Sequence, residues 1–157
     1  LGRGICVIPL GDHLNRFPEK YLVYGPGPVM NFSPEDPNIR VRGDFLEITG
    51  PPERKKLGFD SSAGWFSYLS KNDLMFVKRF PVYPERVYDE MAGLTISIWY
   101  NQEQMVELEP IGPREVIEPG GAAAFTEDWW LLPHKFPQDG EDVDLGALAK
   151  EVDELAR

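Results

Sequence analysis

Alternation of apolar and polar positions with a period of two runs through most of the chain and predicts strands. Ile5-Cys6-Val7-Ile8 forms the apolar centre of a short strand within residues 3–10, ended by Pro9. Residues 11–38 carry Pro18, Pro26, Pro28, Pro34 and Pro37, and read as loop around one brief strand, Tyr21-Leu22-Val23-Tyr24. Asp44-Phe45-Leu46-Glu47-Ile48-Thr49 alternates and predicts a half-buried strand that Pro51-Pro52 stops. Gly64 to Phe80 predicts two aromatic-rich strands folded about Lys71-Asn72-Asp73.

The sharpest pattern is a hairpin. Leu94, Ile96 and Ile98 alternate with Thr95, Ser97 and Trp99. Beyond Asn101-Gln102-Glu103, Val106 and Leu108 alternate with Met105, Glu107 and Glu109. A loop made of those three residues would set Ile98 opposite Val106 and Ile96 opposite Leu108 on the core side. Ser97 would then face Glu107, and Thr95 would face Glu109, on the other side. Gly112-Pro113, Pro119-Gly120-Gly121 and Pro133 punctuate further short strands up to Trp129-Trp130-Leu131-Leu132. A helical period occurs once, at Leu145, Leu148, Val152 and Leu155, behind Asp142 or Asp144 as N-cap. Many strands and one helix predict an all-β antiparallel sandwich with a C-terminal helix.

Composition narrows this picture. A chain of 157 residues suits one core, divided as a β-sandwich over 1–136 and an acidic, mobile link leading into the C-terminal helix over 137–157. Fifteen glycines and fifteen prolines argue against a helical bundle. The net charge of -10 disfavours nucleic acid and anionic membrane surfaces as partners. No apolar run approaches the roughly twenty residues that span a bilayer. The single cysteine, Cys6, excludes an internal disulfide and a cysteine-built zinc site, and reads as buried and inert. The chain opens at Leu1 without a charged leader, which sets a cytoplasmic location as the default and suggests a larger domain whose first part lies upstream.

Little of the sequence carries conventional catalytic motifs. Gly2-Arg3-Gly4 and Gly25-Pro26-Gly27-Pro28 lack the lysine and spacing of a phosphate loop. His13 and His134 have no second ligand at metal spacing, no serine sits in a nucleophile elbow, and no cofactor is expected. Glu107 and Glu109 are the strongest candidates, since alternate strand positions aim both carboxylates at one face about 7 Å apart. Paired carboxylates divide acid and base work in carbohydrate-active enzymes; the competing reading is a solvated sheet face. Trp99 beside them and Trp65 in Gly64-Trp65-Phe66 offer indole faces to sugar C–H groups. Lys78 is either a snorkelling lysine or a donor in a polar groove with Glu107 or Glu109.

Several phrases in order resemble a known family. Lys56-Leu57-Gly58-Phe59, Gly64-Trp65, Leu74-Met75-Phe76-Val77-Lys78, Val106-Glu107-Leu108-Glu109-Pro110 and Pro119-Gly120 before Trp129 are similar to galactose mutarotase-like (aldose 1-epimerase-like) domains. The similarity is to bacterial members of unknown function, over residues 1–133 and to the second half of the domain. It implies a β supersandwich with a sugar-binding concave sheet, and it implies that Glu109 occupies the position of the epimerase base. Pro110 departs from the epimerase pattern, and the His-x-Tyr-Phe motif of the general acid is absent. The expected function is therefore carbohydrate binding or modification on the face of Glu107, Glu109 and Trp99. A catalytically silent structural half and a small-molecule sensor stand as alternatives. Open sheet edges lead us to expect self-association or an upstream partner segment.

Overall fold

The computed structural model describes residues 4–11, 21–25, 30–31, 35–91, 93–101, 105–138 and 140–155. His13, Gly2-Arg3, Pro26-Gly27-Pro28 and Gln102-Glu103, all named above, lie outside the described residues. The elements run β1 (Ile5–Pro9), β2 (Tyr21–Tyr24), β3 (Met30–Asn31), β4 (Ile39–Arg42), β5 (Phe45–Ile48) and β6 (Lys56–Phe59). They continue with β7 (Trp65–Ser70), β8 (Leu74–Arg79), β9 (Ile96–Asn101), β10 (Met105–Pro110), β11 (Asp128–Pro133) and α1 (Leu145–Glu154). Every strand pairing among the described residues is antiparallel, in a six-stranded sheet ordered β11-β8-β7-β1-β5-β4 and a five-stranded sheet ordered β10-β9-β6-β2-β3. The architecture is the expected all-β sandwich with one C-terminal helix.

Alternation along the strands builds two cores, one on each side of the six-stranded sheet. Cys6, Ile8, Leu46, Ile48 and Phe66 face the five-stranded sheet, where Val23, Leu57, Phe59, Ile96, Ile98 and Tyr100 meet them. The intervening positions Ile5, Val7, Trp65, Leu69, Met75 and Val77 point the other way and are roofed by Val143, Leu145, Leu148 and Val152. The layers are thus helix, six-stranded sheet, five-stranded sheet. The helix begins where its stripe predicts: the Asp144 side chain accepts a hydrogen bond from the Ala147 N–H at 2.9 Å.

The approach to that helix is tied down. Arg40 pairs with Asp142 at 2.7 Å, and Arg42 donates to the Val143 carbonyl at 2.8 Å. Both arginines also clamp Glu47, whose side chain is fully buried, through contacts of 2.8 Å from Arg40 and 2.6 Å from Arg42. The Arg40 Nε is misaligned for a hydrogen bond despite its closeness, and its Nη2 donates to Glu47 instead at 3.2 Å. A buried carboxylate needs such partners, and here they fasten the segment before α1 to the sheet edge. The acidic link expected to be mobile is therefore anchored at Asp142 and Val143, and α1 starts at Leu145.

Three local expectations differ from the structure. β3 falls in the stretch 11–38 expected to be loop outside Tyr21–Tyr24, β4 and β6 form where no element was predicted, and residues 111–127 form no strand although short strands were expected there. β4 joins β5 through Gly43-Asp44, a two-residue turn that needs the positive φ of 58° at Gly43. Residues 111–127 are studded with Pro113, Pro119, Gly120 and Gly121, which weaken a ladder, and the bidentate Arg86–Glu115 pair holds them instead.

Candidate functional site

The outer face of the five-stranded sheet collects the side chains that the inter-sheet core does not use. Leu57, Phe59, Ile96, Ile98, Val106 and Leu108 point inward, so Lys56, Gly58, Ser97, Trp99, Glu107 and Glu109 point outward. Two rows result. Glu107 lies opposite Trp99, and Trp99 opposite Lys56; Glu109 lies opposite Ser97, Ser97 opposite Gly58, and Gly58 opposite Leu22. This register corrects the expected one. Asn101 belongs to β9 and pairs with Met105, so the connection runs one residue later and every partner slips by two. An even slip preserves faces, which is why the two glutamates still share a side with Trp99.

Elements from outside the hairpin complete this face. Gly93 and Leu94 both donate to the Glu90 carbonyl at 3.0 Å, closing a turn in which Met91 takes a strained φ of 45°. The turn lays the Leu94 side chain over Gly58, where any Cβ would collide with Leu94 Cδ1. Leu94 and Leu22 are fully buried there, with Tyr24 and Ile111 packed against them. The same turn delivers the Glu90 carboxylate, which accepts the Tyr24 hydroxyl at 3.1 Å and lies 3.7 Å from Lys56 Nζ. Lys56 Nζ also sits 5.1 Å from the Tyr24 ring centroid, a cation–π distance.

Tyr24 holds its proton more tightly than a free tyrosine. Burial is the largest cause, followed by the Glu90 charge and hydrogen bond and then the Glu109 charge. The Glu109 charge thus reaches Tyr24 from the neighbouring row. Ser97 is buried between Glu109 and Gly58, and its hydroxyl has no hydrogen-bond partner among the described residues. The face can therefore accept hydrogen bonds at Glu90, Glu107 and Glu109, donate them from Lys56, and present the half-buried indole of Trp99.

Two of the five residues expected here lie elsewhere. Trp65 faces the opposite side of the other sheet, under α1 and 6.2 Å from the Phe45 ring, because its neighbour Phe66 takes the inter-sheet position. Lys78 rises from β8 between the sheets. Its Nζ donates to the Leu108 carbonyl at 2.8 Å, pairs with Glu127 at 3.0 Å and lies 4.7 Å from the Trp129 ring centroid. It touches the backbone between the two glutamates from the side their carboxylates do not occupy.

Sequence reasoning missed Tyr24 and Glu90. The alternation of Tyr21–Tyr24 could have placed Tyr24 opposite the core. Glu90 arrives from a loop whose spacing carries no signal. Among the described residues no group of three or more His, Cys, Asp or Glu could hold a metal ion, and no helix is long and apolar enough to cross a membrane. His134 bonds Glu151 of α1 at 2.9 Å, far from this face in role. Comparison with known families, characterised proteins and solved structures returns no match to this chain.

Proposed function

We propose that the outer face of the five-stranded sheet binds a carbohydrate. The observation that carries this reading is the convergence of Tyr24, Lys56 and Glu90 on the face that already holds Trp99, Glu107 and Glu109. Carboxylates accept hydroxyl hydrogen bonds of a sugar, Lys56 returns them, and the Trp99 indole packs against the C–H side of the ring. The resemblance to mutarotase-like domains supports the same ligand class and points to Glu109 as a base at an anomeric hydroxyl.

Binding is favoured over turnover on chemical grounds. Mutarotation needs an acid at the ring oxygen as well as a base. The Tyr24 proton is already donated to Glu90, and burial and the neighbouring carboxylates hold it there, which makes Tyr24 a poor proton source. The test is titration of the protein with monosaccharide and glycan panels, read by intrinsic tryptophan fluorescence and NMR. A sugar that binds the wild type should lose most of its affinity in Trp99→Ala and Glu109→Gln. No binding across the panels, or equal affinity in both variants, overturns the reading. Accelerated anomer exchange, abolished by Glu109→Gln, would add catalysis to it.

A further inference from the structure

Four strands end the two sheets, and they are defended unequally. β3 has two residues, and β4 carries Arg40 and Arg42 held in ion pairs. β10 carries Glu107 and Glu109 and ends in Pro110. Short length, charge and proline are the usual protections of an edge. β11, six residues long, keeps Trp129 and Leu131 63% and 65% exposed on one face. Phe76 lies opposite Leu131 and meets the Trp129 ring edge-on at 5.6 Å, extending the apolar surface inward from the edge.

Among the described residues the backbone of β11 is paired on one side alone. The His134 N–H bonds the Asp73 carbonyl on the β8 side at 3.0 Å. By alternation Trp130 and Leu132 also turn their polar groups to β8, whereas Trp129, Leu131 and Pro133 turn theirs outward. The strand is also charged oppositely at its two ends, with Glu127 and Asp128 at its start and Lys135 just past its end. An antiparallel copy of the same strand would bring the acidic end of each beside the basic end of the other.

We propose that β11 is the seam of a homodimer, paired antiparallel with β11 of a second copy about a two-fold axis through Trp130. Trp129 then lies opposite the partner's Leu131, and the two exchange both N–H to carbonyl bonds, twice over by symmetry. Pro133 has no N–H to offer and falls at the flank of this pairing, where only its carbonyl is used. Apolar Trp129 and Leu131 of both copies form one continuous stripe, and Glu127, opposite the other copy's Pro133, has Lys135 of that copy as its diagonal neighbour on the same face. One strand pairing is a small interface, so the dimer belongs among weak associations and depends on concentration. The proposal is independent of the carbohydrate reading.

Sedimentation velocity over a concentration series tests it. The wild type should pass from monomer to dimer, and Leu131→Glu and Trp129→Glu should each raise the dissociation constant at least about tenfold. Both side chains are mostly exposed, so melting curves should barely move and confirm that the variants fold. A wild type that stays monomeric across the series overturns the proposal and leaves the edge to a segment of some other chain. A dimer indifferent to Leu131→Glu overturns it equally, since the copies then meet elsewhere.

Discussion

The two outer faces of the sandwich are built from the same alternating strands and end in opposite states. On the six-stranded sheet the outward positions are Val7, Trp65, Leu69, Met75 and Val77, and α1 covers them with Leu145, Leu148 and Val152. On the five-stranded sheet the outward positions are Lys56, Gly58, Ser97, Trp99, Glu107 and Glu109, and one turn covers only part of them with Leu94. The first face is sealed by the hydrophobic effect, which rewards covering apolar area without regard to partner. The second keeps polar groups accessible, where water or a ligand must satisfy them. Stability should therefore reside on the helix side and recognition on the other.

The largest test of that division is Arg40→Ala with Arg42→Ala. Removing both guanidinium groups leaves the Glu47 carboxylate buried without a cationic partner and frees the segment that leads into α1. Denaturant unfolding should show a loss of about 3–5 kcal/mol. Next comes Leu148→Ala, at a fully buried position of the helix roof, with about 2–5 kcal/mol expected by the same measurement. A loss under about 0.5 kcal/mol in either would mean that the helix is an ornament on the sheet rather than part of its core. Asp144→Ala removes the helix cap and should cost about 1 kcal/mol.

On the opposite face the expected stability effects are smaller still, and binding should move instead. Glu107→Gln and Glu109→Gln should each shift unfolding by no more than about 0.5 kcal/mol. Glu109→Gln should reduce carbohydrate affinity more than Glu107→Gln, because only Glu109 acts on Tyr24. It should also lower the Tyr24 pKa toward the ordinary tyrosine value, visible as earlier tyrosinate absorbance in an alkaline titration. Loss of stability without loss of affinity would reverse the assignment of the two faces.

The last prediction concerns Cys6, which belongs to the shared core between the faces. Burial pushes its thiol pKa up, and burial likewise raises Tyr100 beside it in the same core. A raised native pKa means that the folded state keeps a proton the unfolded state loses. The resulting stability is whole below the unfolded thiol pKa, roughly 8.5, and declines as pH rises past it. Cys6→Ala should flatten the first part of that alkaline decline in thermal melts. Thiol reagents should label the wild type only as fast as it unfolds.

Much of the fold was legible because its signals are local. The β7–β8 hairpin closes on Lys71-Asn72-Asp73, with Ser70 opposite Leu74, as the alternation predicts, and Asp73 accepts the positive φ of 57° that the turn demands. The four-residue β4 and β6 escaped notice because each sits in a polar or proline-flanked stretch. Their strand state comes from neighbours already in the sheet. Trp65 and Lys78 show the same limit from the site side. Both stand on strands that were identified, and which face each would occupy depended on where the second sheet and the helix came to lie.

Glu107 and Glu109 had to share a face whatever register the β9–β10 hairpin adopted by even steps, because a pleated strand repeats every two residues. The stripe of α1 was equally determined by the residues themselves, whereas the choice of Asp144 over Asp142 as its cap came with the fold. Only the tertiary structure decided that Trp99 is the partner of Glu107, that Leu94 crosses over Gly58, and that Glu90 reaches Tyr24 from 66 positions away. Those contacts join segments with no shared period. They exist because closing the two cores fixes the strand ends, and the strand ends fix where each loop can lay its side chains.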